Sequence, residues 1–491
     1  MRNVDLKNCL FGHPERRNTA ESKGDHLKYF IWIIRSIRSA ISLPAYARYD
    51  RRGSMTDLLL LFFLAMTSLG CAETEQKLEV ATISPKAYAR LPFLIVPTDR
   101  LHAAIQPIAQ IIEKDFVMGG QFEPSIKPAA DVPKSQTDLK ALWQEGRGYP
   151  YALFLSQPMK NTLEYRLYDT NAAAMLIGKR IVINADADIA WVGHQLADKL
   201  NELLTGSAGS WASLLVACKR EKKGKKDFRH IYGICPGQAY DQASAWSPLV
   251  KGSTIHFGCR WHPTKPLLYF SEHTPYNVRL VSLDEQKTKR IVMNFDGHNM
   301  MPAISSAGTT AVSITNNGYD RLYLYHVDKK SNRGIFEPLT PAGMHAIAPS
   351  FVTDNQLVFC AIENHLATIM LVDCTTKKRT PLVQGGYNVA PVYCPAKNLI
   401  AYCKKIDGTV QVFTYTMATK ENKQLTCTPG HKDECTWSPC GNYIAYSVGF
   451  GNESRIAIFS FKTLEERFIT PKGEFWTFPA WSGIYEQRPF A

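Results

Sequence analysis

Apolar and polar positions in the second half of the chain recur as short strand-like runs with a period in the forties. That spacing is the one expected when a single four-stranded unit is copied along a chain. Each copy opens on an anchor: Arg260-Trp261-His262-Pro263, Pro302-Ala303-Ile304-Ser305, Pro349-Ser350-Phe351, Pro391-Val392-Tyr393, Cys435-Thr436-Trp437-Ser438-Pro439 and Pro479-Ala480-Trp481-Ser482. The large apolar residues stand at 261, 304, 351, 393, 437 and 481, at intervals of 43, 47, 42, 44 and 44. A turn follows, clearest in Ser438-Pro439-Cys440-Gly441, where Pro presets φ and Gly takes the left-handed conformation of a tight turn. Second strands are expected at Leu267–Phe270, Leu357–Cys360, Leu399–Cys403 and Tyr443–Ser447, and third strands at Leu280–Asp284, Leu322–Asp328 and Ile369–Asp373. Fourth strands close near Leu339-Thr340, Leu425-Thr426 and Ile469-Thr470. Six anchors with four strands each predict an all-β six-bladed β-propeller over residues 207–491. The last anchor leaves no room for three more strands, so one blade must be split. The Trp481 segment is expected to close the ring against strands drawn from Leu214–Cys218, Phe228–Cys235 and Thr254–Phe257.

Residues 73–206 lack this repeat and read as an N-terminal α/β domain. Phe93–Pro97 is a strand-like run, and Leu101–Lys114 carries Ile105, Ile108, Ile111 and Ile112 at helical spacing. Ala152–Leu155 and Leu163–Tyr168 are further strands. Ala190–Leu204 is an amphipathic helix with Val192, Leu196, Leu200, Leu203 and Leu204 on one side, ended by the small, polar link Thr205-Gly206-Ser207-Ala208-Gly209-Ser210.

Composition adds a leader to this picture. Leu58–Met66 is unbroken apolar but too short to span a bilayer, and Ser68, Gly70 and Ala72 follow it, which is the pattern of a signal peptide over 55–72. A cut after Ala72 makes Glu73 the mature N-terminus; a lipidated Cys71 is the alternative, and the mass of the mature N-terminus decides between them. Residues 1–54 are then an upstream extension arising from start-site assignment. They also carry a disproportionate share of the formal +13 charge, which weakens any inference of nucleic-acid binding. The one tight basic run, from Lys219 to Lys226, lies between apolar segments with no interleaved aromatic platform, as a solvated hairpin tip does. Of the 12 cysteines, Cys394 with Cys403 and Cys218 with Cys235 flank turns and are candidates to face each other across hairpins. No Cys-x-x-Cys motif is present, which argues against zinc and thioredoxin chemistry.

The search for catalysis is negative, and no cofactor or metal is implied. The chain has no Gly-x-Ser-x-Gly elbow, His-Glu-x-x-His helix, phosphate loop or dinucleotide fingerprint. His194 is a lone helical histidine without an evident partner, and Asp433-Glu434 is a loop pair without a third ligand. A propeller-gated peptidase would need a hydrolase domain larger than residues 73–206, and a carbohydrate-binding propeller is the other alternative.

With these pieces placed, the chain from 73 to 491 resembles the TolB family, soluble periplasmic components of the Tol-Pal envelope system of Gram-negative bacteria. The resemblance rests on Gly193-His194-Gln195-Leu196-Ala197-Asp198-Lys199-Leu200, on Leu204-Thr205-Gly206 before the repeats, on the repeats themselves and on Phe478-Pro479-Ala480-Trp481-Ser482. It implies a non-catalytic protein that links the inner membrane, an outer-membrane lipoprotein and peptidoglycan, and maintains envelope integrity during cell division. It implies two partners: the lipoprotein Pal at the propeller channel mouth, and TolA at an N-terminal arm, here Glu73, Leu78 and Val80. Residues just before each anchor should line that mouth: His298 and Asn299, His345 and Ile347, Tyr387 and Asn388, His431 and Asp433, and Trp476. The family's first rim segment also reads His-Asn before a Pro-Ala anchor, which singles out His298.

Overall fold

The computed structural model describes residues 90–98, 104–128, 137, 148–183, 188–224, 226–237, 246–274, 276–294, 299–316, 318–327 and 334–490. The expected upstream extension, the expected signal peptide, Cys71, the expected arm residues Glu73, Leu78 and Val80, and His298 lie outside them.

Among the described residues, the N-terminal domain shows a five-stranded sheet and two long helices. Strands β1 (Leu91–Pro97), β2 (Phe122–Ile126), β3 (Tyr151–Met159), β4 (Thr162–Asp169) and β5 (Ala174–Val182) run in the order β2-β1-β3-β4-β5. The two pairings of β1 are parallel and the others antiparallel. Helix α1 (Ile105–Gly119) supplies the crossover that the parallel β1–β2 pair requires. It runs five residues past the predicted Lys114 because Phe116 and Met118 still fill the core, Phe116 meeting Phe93 edge-on and stacking with Phe122. Helix α2 (Ile189–Thr205) starts on Asp188, whose carboxylate accepts from the Ala190 and Trp191 amides, and ends on Gly206 at φ 67°. Strands β2 and β5 escape the periodicity; β5 is a sheet edge, its side chains mostly exposed.

The remaining strands form sheets that follow one another along the chain. One contains β6 (Leu215–Lys223), β7 (Lys226–Ile234), β8 (Ser247–Val250), β9 (Ile255–Trp261), β10 (Leu268–His273), β11 (Val278–Leu283) and β12 (Lys289–Asn294). Four-stranded sheets follow: β13–β16 (Asn299–Ile304, Thr310–Asn316, Tyr319–Val327, Gly334–Pro338) and β17–β20 (His345–Thr353, Gln356–Glu363, Leu366–Asp373, Arg379–Val383). Then come β21–β24 (Asn388–Cys394, Leu399–Ile406, Thr409–Thr416, Asn422–Gln424) and β25–β28 (His431–Trp437, Tyr443–Gly449, Ser454–Ser460, Glu466–Phe468). Strand β29 (Trp476–Trp481) returns to pair antiparallel with β6, Trp481 opposite Leu215 and Trp476 opposite Lys219.

Two expectations need correcting here. Thr254–Phe257 is not a separate strand beside Trp481; Ile255–Phe257 is the first half of β9, the strand that carries Trp261, and the apolar run merely breaks at Gly258. Strand β7 pairs along its length with β6 and on its other side with β8, short and interrupted by Pro248. The hairpin cysteines also do not meet. Cys218 lies opposite Ile231, Cys394 opposite Leu399, and Cys403 between Val389 and Val412, so neither expected pair is in register.

The repeated residues have repeated jobs. Thr340, Thr426 and Thr470 place their hydroxyls to accept from the amides of Leu322, Val412 and Ile456, finishing each third strand where the fourth ends. Two anchor indoles tie one repeat to another: Trp261 Nε1 donates to Ala480 O at 3.1 Å and Trp437 Nε1 to Val392 O at 3.0 Å. The turn at Ser438 forms as predicted, with Gly441 N donating to Ser438 O at 2.9 Å. Lys219 departs from the hairpin-tip expectation: it bonds Glu474 at 2.6 Å and lies over the Trp476 ring, within strand β6.

Candidate partner-binding face at the channel mouth

The strand opening each repeat carries a β-bulge at one shared place. Gly258, Met301, Ala348, Ala390, Glu434 and Phe478, each three residues before its anchor residue, all have φ between 40° and 65°. The ladder to the next strand slips there each time. Five of the six are not glycine, so the left-handed backbone is held by packing and hydrogen bonding. The clearest instance is Glu434, whose carboxylate accepts from the Phe478 amide at 2.5 Å and from Ser447 Oγ at 3.2 Å. One bulge thereby fastens the next. Sequence gives little warning of this column, because its only residue signature is the proline that follows it in four copies.

The predicted rim residues sit at the first positions of these strands, and they divide by exposure. His345, Ile347, Tyr387, His431 and Asp433 all keep solvent contact, Tyr387 at 42%. His345 packs against Tyr319, the rings tilted with centroids 4.9 Å apart, and lies 3.5 Å from Asp320, two residues the pattern did not flag. His431 Nδ1 accepts from the Val410 amide at 3.3 Å. Burial raises the Tyr387 phenol pKa, and the Asp433 charge raises it further, which places the two within electrostatic reach. Asp433 and Glu434 touch solvent yet are ringed by protein. Poor solvation therefore raises both carboxyls, Glu434 to about 8 with Asp433 as the second cause.

Two expected rim residues turn inward. Asn388 is fully buried, its amide nitrogen donating to Ala367 O and Gly385 O, both at 3.0 Å. Trp476 is 1% exposed, packed on Trp246 at 4.7 Å and bonded to Glu474 at 2.7 Å. Both position the rim from beneath. Asn299 begins β13 at the corresponding register.

Strand alternation explains Lys432, which lies between two exposed neighbours and points into the protein. It is wholly buried; its ammonium donates to the carbonyl of Thr428, to Pro429 O at 2.9 Å and to Gly430 O at 3.0 Å, and burial lowers its pKa to about 8. Replacing it with Met removes three bonds to charge, so unfolding by denaturant should show a loss of about 2–3 kcal/mol. An unchanged midpoint would mean that the carbonyls find water.

His194, expected to lack a partner, has one. Its Nδ1 lies 2.7 Å from Asp115, and the Cys235 thiol lies beside it. Asp115, His194 and Cys235 are 0%, 1% and 0% exposed, so this acid–base–thiol set sits sealed where α1, α2 and the end of β7 meet. Gly237 is required there, since a Cβ would come within 1.5 Å of the Asp115 carboxylate. Nearby Asp198 accepts from the Trp211 and Ala212 amides at 2.8 and 2.9 Å, tying α2 to the first residues before β6. Among the described residues no cluster of His, Cys, Asp and Glu could hold a metal ion, and no helix is long and apolar enough to cross a membrane.

A mostly β chain built of successive sheets, with every repeat opened by a bulged strand, Trp261 bonded to the last repeat's anchor strand and Trp437 to the repeat before its own, defines a β-propeller protein. This chain belongs to the TolB β-propeller domain family, whose model matches residues 202–485, more than half of the 491. It is 24% identical over 249 residues to the Tol-Pal system protein TolB of Hahella chejuensis, an alignment covering 49% of this chain and 56% of that relative's length. It superposes on the crystal structure of TolB from Acinetobacter baumannii with a TM-score of 0.65 at 18% identity, covering 80% of this chain and 97% of that one. The latter likeness speaks to the fold.

Proposed function

We propose that this chain is an exported, non-catalytic component of a Tol-Pal system, whose channel mouth docks the lipoprotein Pal. In this reading residues 207–491 form a six-bladed ring. The eight strands of the largest sheet are then two blades, β9–β12 and a split blade made of β29 with β6, β7 and β8. A single parallel bridge, Arg229 to Ile255, joins the two halves of that sheet, which favours counting them separately. TolA engages the arm containing Glu73, Leu78 and Val80, and the work of the assembly is envelope integrity during division, in the periplasm.

The observation that carries this reading is the set of solvent-facing side chains six and four positions before the anchors of successive bulged strands: His345, Tyr387 and His431, with Ile347 and Asp433. In sequence His298 stands at the first of these offsets, six residues before Ile304. Such a face offers aromatic and polar contacts on a rigid scaffold, the mix that concentrates binding energy in a few residues. The sealed Asp115–His194–Cys235 set has no substrate access, and among the described residues no other nucleophile with a positioned base accompanies the rim.

The test is titration against the soluble domain of the Pal lipoprotein from the same organism. Tyr387→Ala and His298→Ala should each weaken binding about tenfold or more, a change of about 1.4 kcal/mol, while the melting temperature stays put. Unchanged affinity in both variants removes the rim from the function. Removing residues 73–81 should abolish capture of TolA and leave lipoprotein affinity intact.

A further inference from the structure

Two columns of equivalent positions recur through the repeats, and at four places the second meets the opening strand of the following copy. The first is the residue after each bulge: Cys259, Pro302, Pro349, Pro391, Cys435 and Pro479. The second lies on the next strand outward, opposite the residue that precedes each bulge. Register puts Ser271, Ser313, Cys360, Cys403, Ser447 and Cys218 there. Every member of this second column is a small side chain ending in one hydroxyl or thiol. Ser313 Oγ donates to Ala346 O at 2.9 Å and Cys360 Sγ to Asn388 O at 3.4 Å, in each case on the opening strand of the following sheet.

Proline occupies the first column in four copies and cysteine in two. At both places where it is cysteine, the facing residue of the preceding sheet is cysteine as well. Cys218 Sγ stands 3.7 Å from Cys259 Sγ, and Cys403 Sγ stands 3.6 Å from Cys435 Sγ. The partners are 41 and 32 residues apart in sequence and lie on different strands that share no ladder. No local turn forces them together. Three of the four are 0% exposed and Cys435 is 2% exposed. Cys360 occupies the same column but faces the copy that carries Pro391, and has only a carbonyl to bond.

We propose that Cys218–Cys259 and Cys403–Cys435 are two cystine cross-links, each stapling one blade to the next at the same depth of the ring. Closing a gap of that size to bonding distance takes side-chain rotation more than backbone travel. The chemistry is thiol–disulfide exchange with a disulfide oxidant, such as oxidised glutathione or a dithiol–disulfide oxidoreductase. One thiolate attacks the oxidant and expels one thiol; the second thiolate attacks the mixed disulfide and expels the other. Each cystine delivers two electrons to the oxidant, whose sulfurs leave as two thiols carrying the two protons. Contact with the partner thiol and burial hold Cys218 and Cys403 far from ionisation in the folded protein. The bridges therefore form while the chain folds, and the finished fold shields them from reductant.

The inference stands apart from lipoprotein docking and needs only oxidising surroundings, which can be supplied directly. The full chain is refolded in a glutathione redox buffer, alkylated without reduction, and mapped by peptide mass spectrometry. Linked peptides joining 218 to 259 and 403 to 435, with Cys360 alkylated, are expected. Alkylation of all four cysteines, or their pairing elsewhere, overturns the proposal. A second arm compares Cys218→Ser with Cys403→Ser, each importing the residue that other copies carry in that column, so that folding is preserved. Each should lower the melting temperature by roughly 5 °C or more in the oxidised protein and leave it nearly unchanged after reduction. An equal loss in both states would assign these residues to packing alone and sink the cross-link.

Discussion

Deleting residues 475–491 should abolish the cooperative melting of the whole repeat region, not merely fray one end. Strand β29 is the neighbour of β6, and its two indoles are 1% and 6% exposed. Trp481 bonds Ser213 Oγ at 2.8 Å through its ring and Thr436 Oγ1 at 3.1 Å through its amide, while Ser482 Oγ receives the Leu214 amide at 2.8 Å. Losing either buried tryptophan costs about 3–5 kcal/mol. A domain has only about 5–15 kcal/mol in hand. Calorimetry of the truncated chain, with Trp481→Phe as a milder companion that keeps the strand, reads the effect. A truncated chain that melts like the intact one would show that the repeats hold together without this pairing.

His194→Ala should be nearly as damaging, at about 3–5 kcal/mol, because it strands the buried Asp115 carboxylate without its counter-charge. The pH dependence separates this account from simple loss of volume. Burial by itself would lower the His194 pKa, but the charge and hydrogen bond of Asp115, with Cys235 behind them, raise it to about 10 from 6.5. A raised folded pKa means the folded state binds the proton more tightly. The imidazolium's contribution is therefore complete below pH 6.5 and drains away as pH climbs through about 10. The gap in melting temperature between the native chain and His194→Gln should shrink over that window. A constant gap would assign the loss to packing.

How far the architecture could be read in advance depended on whether a feature is written in residue type or only in backbone. Anchors carry Trp, Tyr, Phe or Ile beside Pro and Ser, and threonines close the fourth strands, so the repeat and its period are plain. The bulge column mixes Gly, Met, Ala, Glu and Phe; no composition rule marks it, yet it aims the rim. Ser247–Val250 hides because an edge strand tolerates Pro248, and Ala174–Val182 hides because an exposed edge has no buried face to impose alternation. Thr254–Phe257 reads as separate only because Gly258 interrupts a continuous strand. At the rim, alternation could have warned about Lys432, Asn388 and Trp476 alike, since each stands five residues before its anchor. What the pattern does not show is where they dock: Asn388 finds two carbonyls and Trp476 finds Trp246.

The pairing of β29 with β6 also sets an order of events. Bonds such as Leu214 to Ser482 join residues 268 positions apart, so a chain made from its N-terminus holds the outer edge of β6 open until almost all of it exists. An apolar strand edge left waiting that long is a template for another molecule's strand. The interval between making Lys223 and making Trp476 is thus when this protein is most exposed to misassembly. Slowing synthesis within it, by rare codons between those two residues, should raise aggregation more than the same delay placed after Trp481.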